Sequence, residues 1–203
     1  RSNRVGAADM RLVFARVYSA QLQGGYSRTE TPDAETLVGP MWNAVFSRSG
    51  RTFGARYTFS GISDEFRTTT GFISRGSIAR VALQHSLTRF GEKTDLVQTA
   101  SADVVLDDTW DYRRFVEGDD AIEKKLHFNF NFALRGGWGV GTSLLVEKFG
   151  FDDELYANYA IERHVGTSVD TIAFQPDARI PNRDYVISVN TPLNESTRGL
   201  IGR

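Results

Sequence analysis

Between Leu126 and Leu134 the side chains change character at every residue: Leu126, Phe128, Phe130, Phe132 and Leu134 alternate with His127, Asn129, Asn131 and Ala133. A β-strand turns successive side chains to opposite faces, so this stretch has one apolar face and one mostly polar face. A helical period would mix the two sets around its circumference. Three phenylalanines in a row on one face need either the core of a β-domain or lipid, and these imply different proteins.

Other segments alternate in the same way. Tyr18, Ala20 and Leu22 interleave with Ser19, Gln21 and Gln23, within a strand that the pattern predicts over residues 10–27. Trp42, Ala44 and Phe46 precede Arg48-Ser49-Gly50-Arg51, and Phe53, Ala55, Tyr57 and Phe59 follow. A two-residue turn at Ser49-Gly50 sets Phe46 against Phe53, Ala44 against Ala55 and Trp42 against Tyr57, all on one face. A three-residue turn at Arg135-Gly136-Gly137 sets Leu134 beside Trp138, Phe132 beside Val140 and Phe128 beside Leu144. Further strands are predicted around Ala79–Leu87, Leu96–Leu106, Leu155–Ile161 and Tyr185–Val189. No segment sustains a helical period, so the chain reads as all-β, an antiparallel up-and-down meander of about nine strands.

The connections alternate too. The long "RTETPDAETLVGP" is followed by the tight turn at 49–50, the long "SDEFRTTTGFISRG", the short "RFGEKT", the long acidic "DDTWDYRRFVEGDDA" and the tight turn at 135–137. In a meander, alternate connections lie at the same end of the sheet. Short turns at one end and long loops at the other are the habit of outer-membrane barrels. After residue 148 the alternation weakens, because a long stretch at 164–183 stands where a short turn is due.

Composition narrows the classes. A chain of 203 residues with net charge -1 and pI near 6.4 carries no electrostatic footprint for nucleic acid. Without cysteine there is no disulfide framework and no thiolate chemistry. No apolar run approaches the length of about eighteen residues that a transmembrane helix needs. A barrel escapes that test, since its lipid-facing residues alternate with polar ones. No signal peptide is visible in "RSNRVGAADM", and the chain stops at Arg203 without a terminal aromatic residue. Residues 1–203 are accordingly read as one barrel segment cut at both ends.

Three features favour lipid over a core. Asn129, Asn131, Arg56, Arg80 and Gln84 stand at mid-strand positions, which a water-filled lumen accepts more readily than a sandwich does. Predicted strands of about ten residues suit a tilted bilayer span. Trp42, Tyr57, Phe90 and Trp138 are placed near strand ends, where interfacial aromatic girdles belong. The expectation is a transmembrane β-barrel of the bacterial outer membrane with Arg56, Arg80, Asn129 and Asn131 facing the lumen or a ligand. The alternative is a soluble β-sandwich or barrel that binds carbohydrate, and behind it a glycoside hydrolase.

The stretch "FSRSGRTFGARYTFSGISDEFRTTTGFISR" (residues 46–75) resembles a bacterial family of unknown function. Its members are Gram-negative envelope proteins in which a carbohydrate-binding family 9-like domain precedes a large β-barrel. Phe66 and the segment Gly71-Phe72-Ile73-Ser74-Arg75 occupy the family's motif positions, and "IPNRDYVISVNTP" (residues 180–192) is similar to a later stretch of the same barrel. The resemblance implies outer-membrane lipid as a partner, a glycan or oligosaccharide as a further one, and a carbohydrate-binding domain lying before residue 1. Members are sometimes labelled hydrolases through that domain, and nothing in residues 1–203 carries such an activity over.

Catalytic and metal patterns are weak. Asp107, Asp108, Asp111, Glu117, Asp119 and Asp120 are candidates for a carboxylate pair, but solvated loop charge is the better reading of them. His85, His127 and His164 have no partner at metal-ligand spacing. Gly136 to Gly141 mimics a nucleotide-binding glycine motif, but no amphipathic helix follows, so hairpin glycines are the better reading. No cofactor and no catalytic residue is expected. All basic residues except the lysines at 93, 124, 125 and 148 are arginine. Arg16, Arg56, Arg80 and Arg135 fall in or beside strands, where planar guanidinium groups suit phosphate or carboxylate recognition.

Overall fold

The computed structural model describes residues 2–32, 35–69, 76–150, 156, 158–174 and 180–192. Its strands are β1 (Ser2–Phe14), β2 (Tyr18–Glu30), β3 (Leu37–Ser49), β4 (Phe53–Ile62), β5 (Ile78–Phe90), β6 (Val97–Asp111), β7 (Glu123–Leu134), β8 (Gly139–Phe149), β9 (Ala160–Val165), β10 (Ser168–Ala173) and β11 (Ile180–Asn190). A short helix, α1 (Tyr112–Glu117), follows β6. The chain is all-β. A nine-stranded antiparallel sheet runs in the order β1-β2-β3-β4-β5-β6-β7-β8-β11, and β9 and β10 form a separate hairpin. The large sheet is not closed into a barrel among the described residues; β1 and β11 are its edges.

The register sorts the two faces across the whole sheet. One transverse row reads Leu12, Ala20, Phe46, Tyr57, Leu83, Leu106, Leu126, Val146 and Arg183, one residue per strand. The next row, on the opposite face, reads Arg11, Gln21, Val45, Thr58, Ala82, Asp107, Lys125, Glu147 and Asn182. A slip of one residue at any pairing would exchange the two sets, so eight consecutive pairings agree on one apolar and one polar face.

Among the described residues no second sheet covers the apolar face. Leu12, Leu22, Phe59, Phe130, Phe132, Leu144 and Ile187 are all exposed. The buried apolar residues among those described are Ala55, Phe66, Ala79, Ala121 and Ile122, too few and too scattered to make a core. Two stacked sheets with clasped phenylalanines, the arrangement a sandwich requires, do not occur among the described residues.

Several expectations need correction in detail. The strand read over 10–27 is the hairpin β1–β2, turning through residues 15–17. That turn has no glycine to announce it, and Ala15 and Arg16 take φ of 46° and 61°. The turn placed at Ser49-Gly50 is centred instead on Arg51-Thr52: the Gly50 amide donates to the Phe53 carbonyl at 3.2 Å. Phe46 therefore faces Tyr57, Ala44 faces Phe59 and Trp42 faces Gly61. The shift is an even number of residues, so the faces survive it. The register proposed around 135–137 holds, with Phe132 opposite Val140 and Phe128 opposite Leu144. The long acidic connection is partly ordered: β6 continues to Asp111, whose carboxylate caps α1 by accepting from the Arg113 and Arg114 amides. Of the strand expected over 155–161, residues 155 and 157 lie outside the described residues, and β9 begins at Ala160.

The alternation of connections is more regular than the sequence suggested. Turns at 15–17, 50–52, 91–96 and 135–138 lie at one end of the sheet; the strand ends Glu30 and Leu37, Ile62 and Ile78, Asp111 and Glu123, and Phe149 and Ile180, which the longer connections join, lie at the other. The apparent failure after residue 148 disappears, because the β9–β10 hairpin is an excursion within the connection from β8 to β11.

Candidate functional face

The strongest concentration of polar chemistry lies on the polar face of β5 to β11. Asp107, Lys125, Glu147 and Asn182 stand directly opposite one another on four adjacent strands. Lys125 Nζ lies 4.0 Å from Glu147 Oε2 and 3.7 Å from Glu123 Oε2. Asn182 Nδ2 donates to Glu147 Oε1 and to Asp184 Oδ2, both at 2.9 Å. Arg80 engages Asp107 through two nitrogens, with Nε donating to Oδ1 at 2.7 Å. The result is a line of alternating charge across the sheet, near the end that carries the long connections. Its members are accessible, so the pairs contribute little stability and chiefly determine where fixed charge faces water.

All four residues singled out from the sequence lie on this face. Arg80 is in the charged line, whereas Arg56 stands opposite Gln84 towards the short-turn end. Asn129 is half-buried between Asp103 and Ser143. Asn131 leans over Gly141, where an added Cβ would meet Asn131 Oδ1 at 3.0 Å and Ser188 Oγ at 2.6 Å. They share a face and not a single cluster. Of the family-motif positions, Phe66 is buried, while Gly71, Phe72 and Arg75 lie outside the described residues.

Lys125, Glu147 and Asn182 escaped the sequence reading. The register fixed by the turn at 135–137 already set Lys125 opposite Glu147, and attention to charge on the polar positions would have found them. The acidic residues weighed as a catalytic pair are dispersed. Asp107 holds Arg80 on the polar face, Asp108 lies on the apolar face opposite Lys124, Asp111 caps α1 and Asp120 pairs with Lys124. His127 hydrogen-bonds Ser143 at 2.7 Å, and His85 hydrogen-bonds Tyr57 at 2.9 Å.

The apolar face has a matching organisation. Towards the short turns, Phe14 stacks on Tyr18 at 5.4 Å, and contacts run on through Phe46 and Tyr57 to His85. Arg48 lies over Phe53 at 5.1 Å and over Tyr18 at 5.8 Å while donating to the Phe53 carbonyl. A cation with an apolar stem takes this posture at the rim of an apolar surface. Towards the long connections, Phe115 of α1 packs between Trp42 and Trp110, with ring centroids at 6.0 and 5.5 Å. Trp42 and Tyr57 are central in their own strands and not terminal as expected, because the strands extend further than their apolar pattern does.

No family model, curated protein or solved structure matches this chain.

Proposed function

We propose that this chain forms part of the wall of a bacterial outer-membrane β-barrel, with its apolar face against lipid and its polar face lining water. The observation that carries this reading is the largely uncovered apolar face running through nine adjacent strands, backed by an ordered line of charge on the reverse. Nine strands of 10 to 15 residues suit a tilted span. On β7 the apolar stripe from Leu126 to Leu134 extends about 27 Å at ~3.4 Å per residue, or about 21 Å of membrane at a tilt near 40°. Tyr57 Oη and His85 Nε2 hydrogen-bond each other at 2.9 Å within the apolar face, which lowers the cost of holding them against hydrocarbon. The outer edges of β1 and β11 need strand partners for the same reason.

The role is passive: transport of a hydrophilic solute along the polar face, or anchoring of a carbohydrate-associated envelope protein. The similarity of residues 46–75 and 180–192 to barrels that follow a carbohydrate-binding domain supports the second half of that statement, with a glycan as the partner. The test is fractionation of the full-length protein from cells. The reading requires detergent for extraction and heat-modifiable migration on gels, and a protein recovered soluble and monomeric without detergent would refute it.

A further inference from the structure

The turn after β4 does not project away from the sheet; it folds back over the polar face of β1 to β3. Phe66 is 5% exposed, and its backbone lies directly on Gly39, where an added Cβ would sit 2.1 Å from the Phe66 nitrogen. Ser27, on the same face, is completely buried, and its Oγ accepts from the Arg67 amide at 2.9 Å. Asn3 Nδ2 donates to Thr29 Oγ1 at 2.7 Å and to the Arg67 carbonyl at 3.1 Å. Three strands thus hold the turn, and Arg113 of α1 pairs with Asp64 from a fourth element. Ser27 and Thr29 are fully or almost fully buried on a face that is otherwise largely open, because the turn covers them.

We propose that residues 63–67 form a fixed constriction, pinned against the inner wall near the long-loop mouth, that limits the size of solute passing along the polar face. This deepens the barrel reading and rests on it. The glycine at 39 is the enabling feature, since a side chain there would lift the turn off the wall. Backbone amides and carbonyls on both sides are satisfied by Ser27 and Asn3, so the turn is held as wall structure and not as a mobile flap.

The experiment compares the full-length protein with its Gly39→Val and Phe66→Ala variants in planar bilayers. Single-channel conductance is read together with exclusion of uncharged polyethylene glycols of graded size, and heat-modifiable migration scores folding of each protein. The expected result is a conductance higher by roughly twofold or more in the variants, with larger glycols admitted. Phe66→Ala removes only a side chain from the turn, so it keeps the test open if Gly39→Val does not fold. Folded variants with unchanged conductance and size cut-off overturn the constriction and leave the barrel reading standing. A wild-type protein that never inserts overturns the barrel reading itself.

Discussion

Trp42 lies flat across Gly61 on the neighbouring strand, so close that a Cβ at position 61 would sit 2.5 Å from the indole Cε2. The glycine leaves a gap in the apolar face, and the tryptophan fills it from the side. Ala79 continues the same row and is completely buried, and Trp110 follows on β6. Phe115 touches both indoles, which brings α1 to the apolar side of the sheet.

Gly61→Val should therefore push Trp42 off its neighbour and disturb this cluster. Overpacking of this kind costs about 1–3 kcal/mol. The loss is read as a lower urea midpoint for the protein folded into detergent, accompanied by a change in tryptophan fluorescence. An unchanged midpoint would mean that the indole has no fixed place.

The two faces of β7 should answer the same substitution differently. Phe130→Arg places a cation on the apolar face, and the proposed barrel reading expects it to lose about 2–4 kcal/mol of folding free energy in lipid vesicles. Asn129→Arg, one residue away on the polar face, should change stability by less than about 1 kcal/mol. Equal losses at both positions, measured by urea titration in vesicles, would contradict the assignment of the faces.

Lys125 is the one cation between Asp107 and Glu147 in the transverse row on the polar face. Lys125→Glu leaves that row acidic at three adjacent strands, so the barrel reading proposed above expects a channel more selective for cations. The measurement is the reversal potential under a salt gradient. Exposed pairs of this kind contribute about 0–1 kcal/mol, so thermal stability should hardly move. A selectivity that does not shift would place Lys125 away from the conducting path.

Ala15 and Arg16 both adopt positive φ in the turn between β1 and β2. That conformation costs an L-residue roughly 1–2 kcal/mol, and Asn-Gly accepts it readily. The double substitution Ala15→Asn with Arg16→Gly should stabilise the folded protein by about 1 kcal/mol, seen as a higher urea midpoint in detergent. A decrease would show that the Arg16 side chain contributes more than its backbone costs.

Much of this architecture is written in the period of the side chains. Alternation from Leu126 to Leu134 assigns each residue of β7 to a face without any knowledge of its neighbours, because strand geometry has a period of two. The glycines at 136 and 137, with φ of 85° and 84°, likewise announce their turn and with it the register of β7 on β8. Local chemistry failed where no glycine marked the reversal, at 15–17, and where a glycine lay beside the turn centre, at 50–52. The ion pair of Arg80 with Asp107 depends on the β5–β6 register across the turn at 91–96, which no local pattern specifies.

What the sequence determined alone was the strand as the building unit, the sorting of each strand into two faces, and the approximate number of strands. Only the tertiary structure decided that these faces join into one broad apolar surface, that Arg80 and Asn182 join Lys125 and Glu147 in a single line of charge, and that the turn at Phe66 rests on Gly39. Such relationships join residues far apart in the chain. They are set by pairing between strands and by close approach of backbones, neither of which leaves a periodic trace in the order of residues.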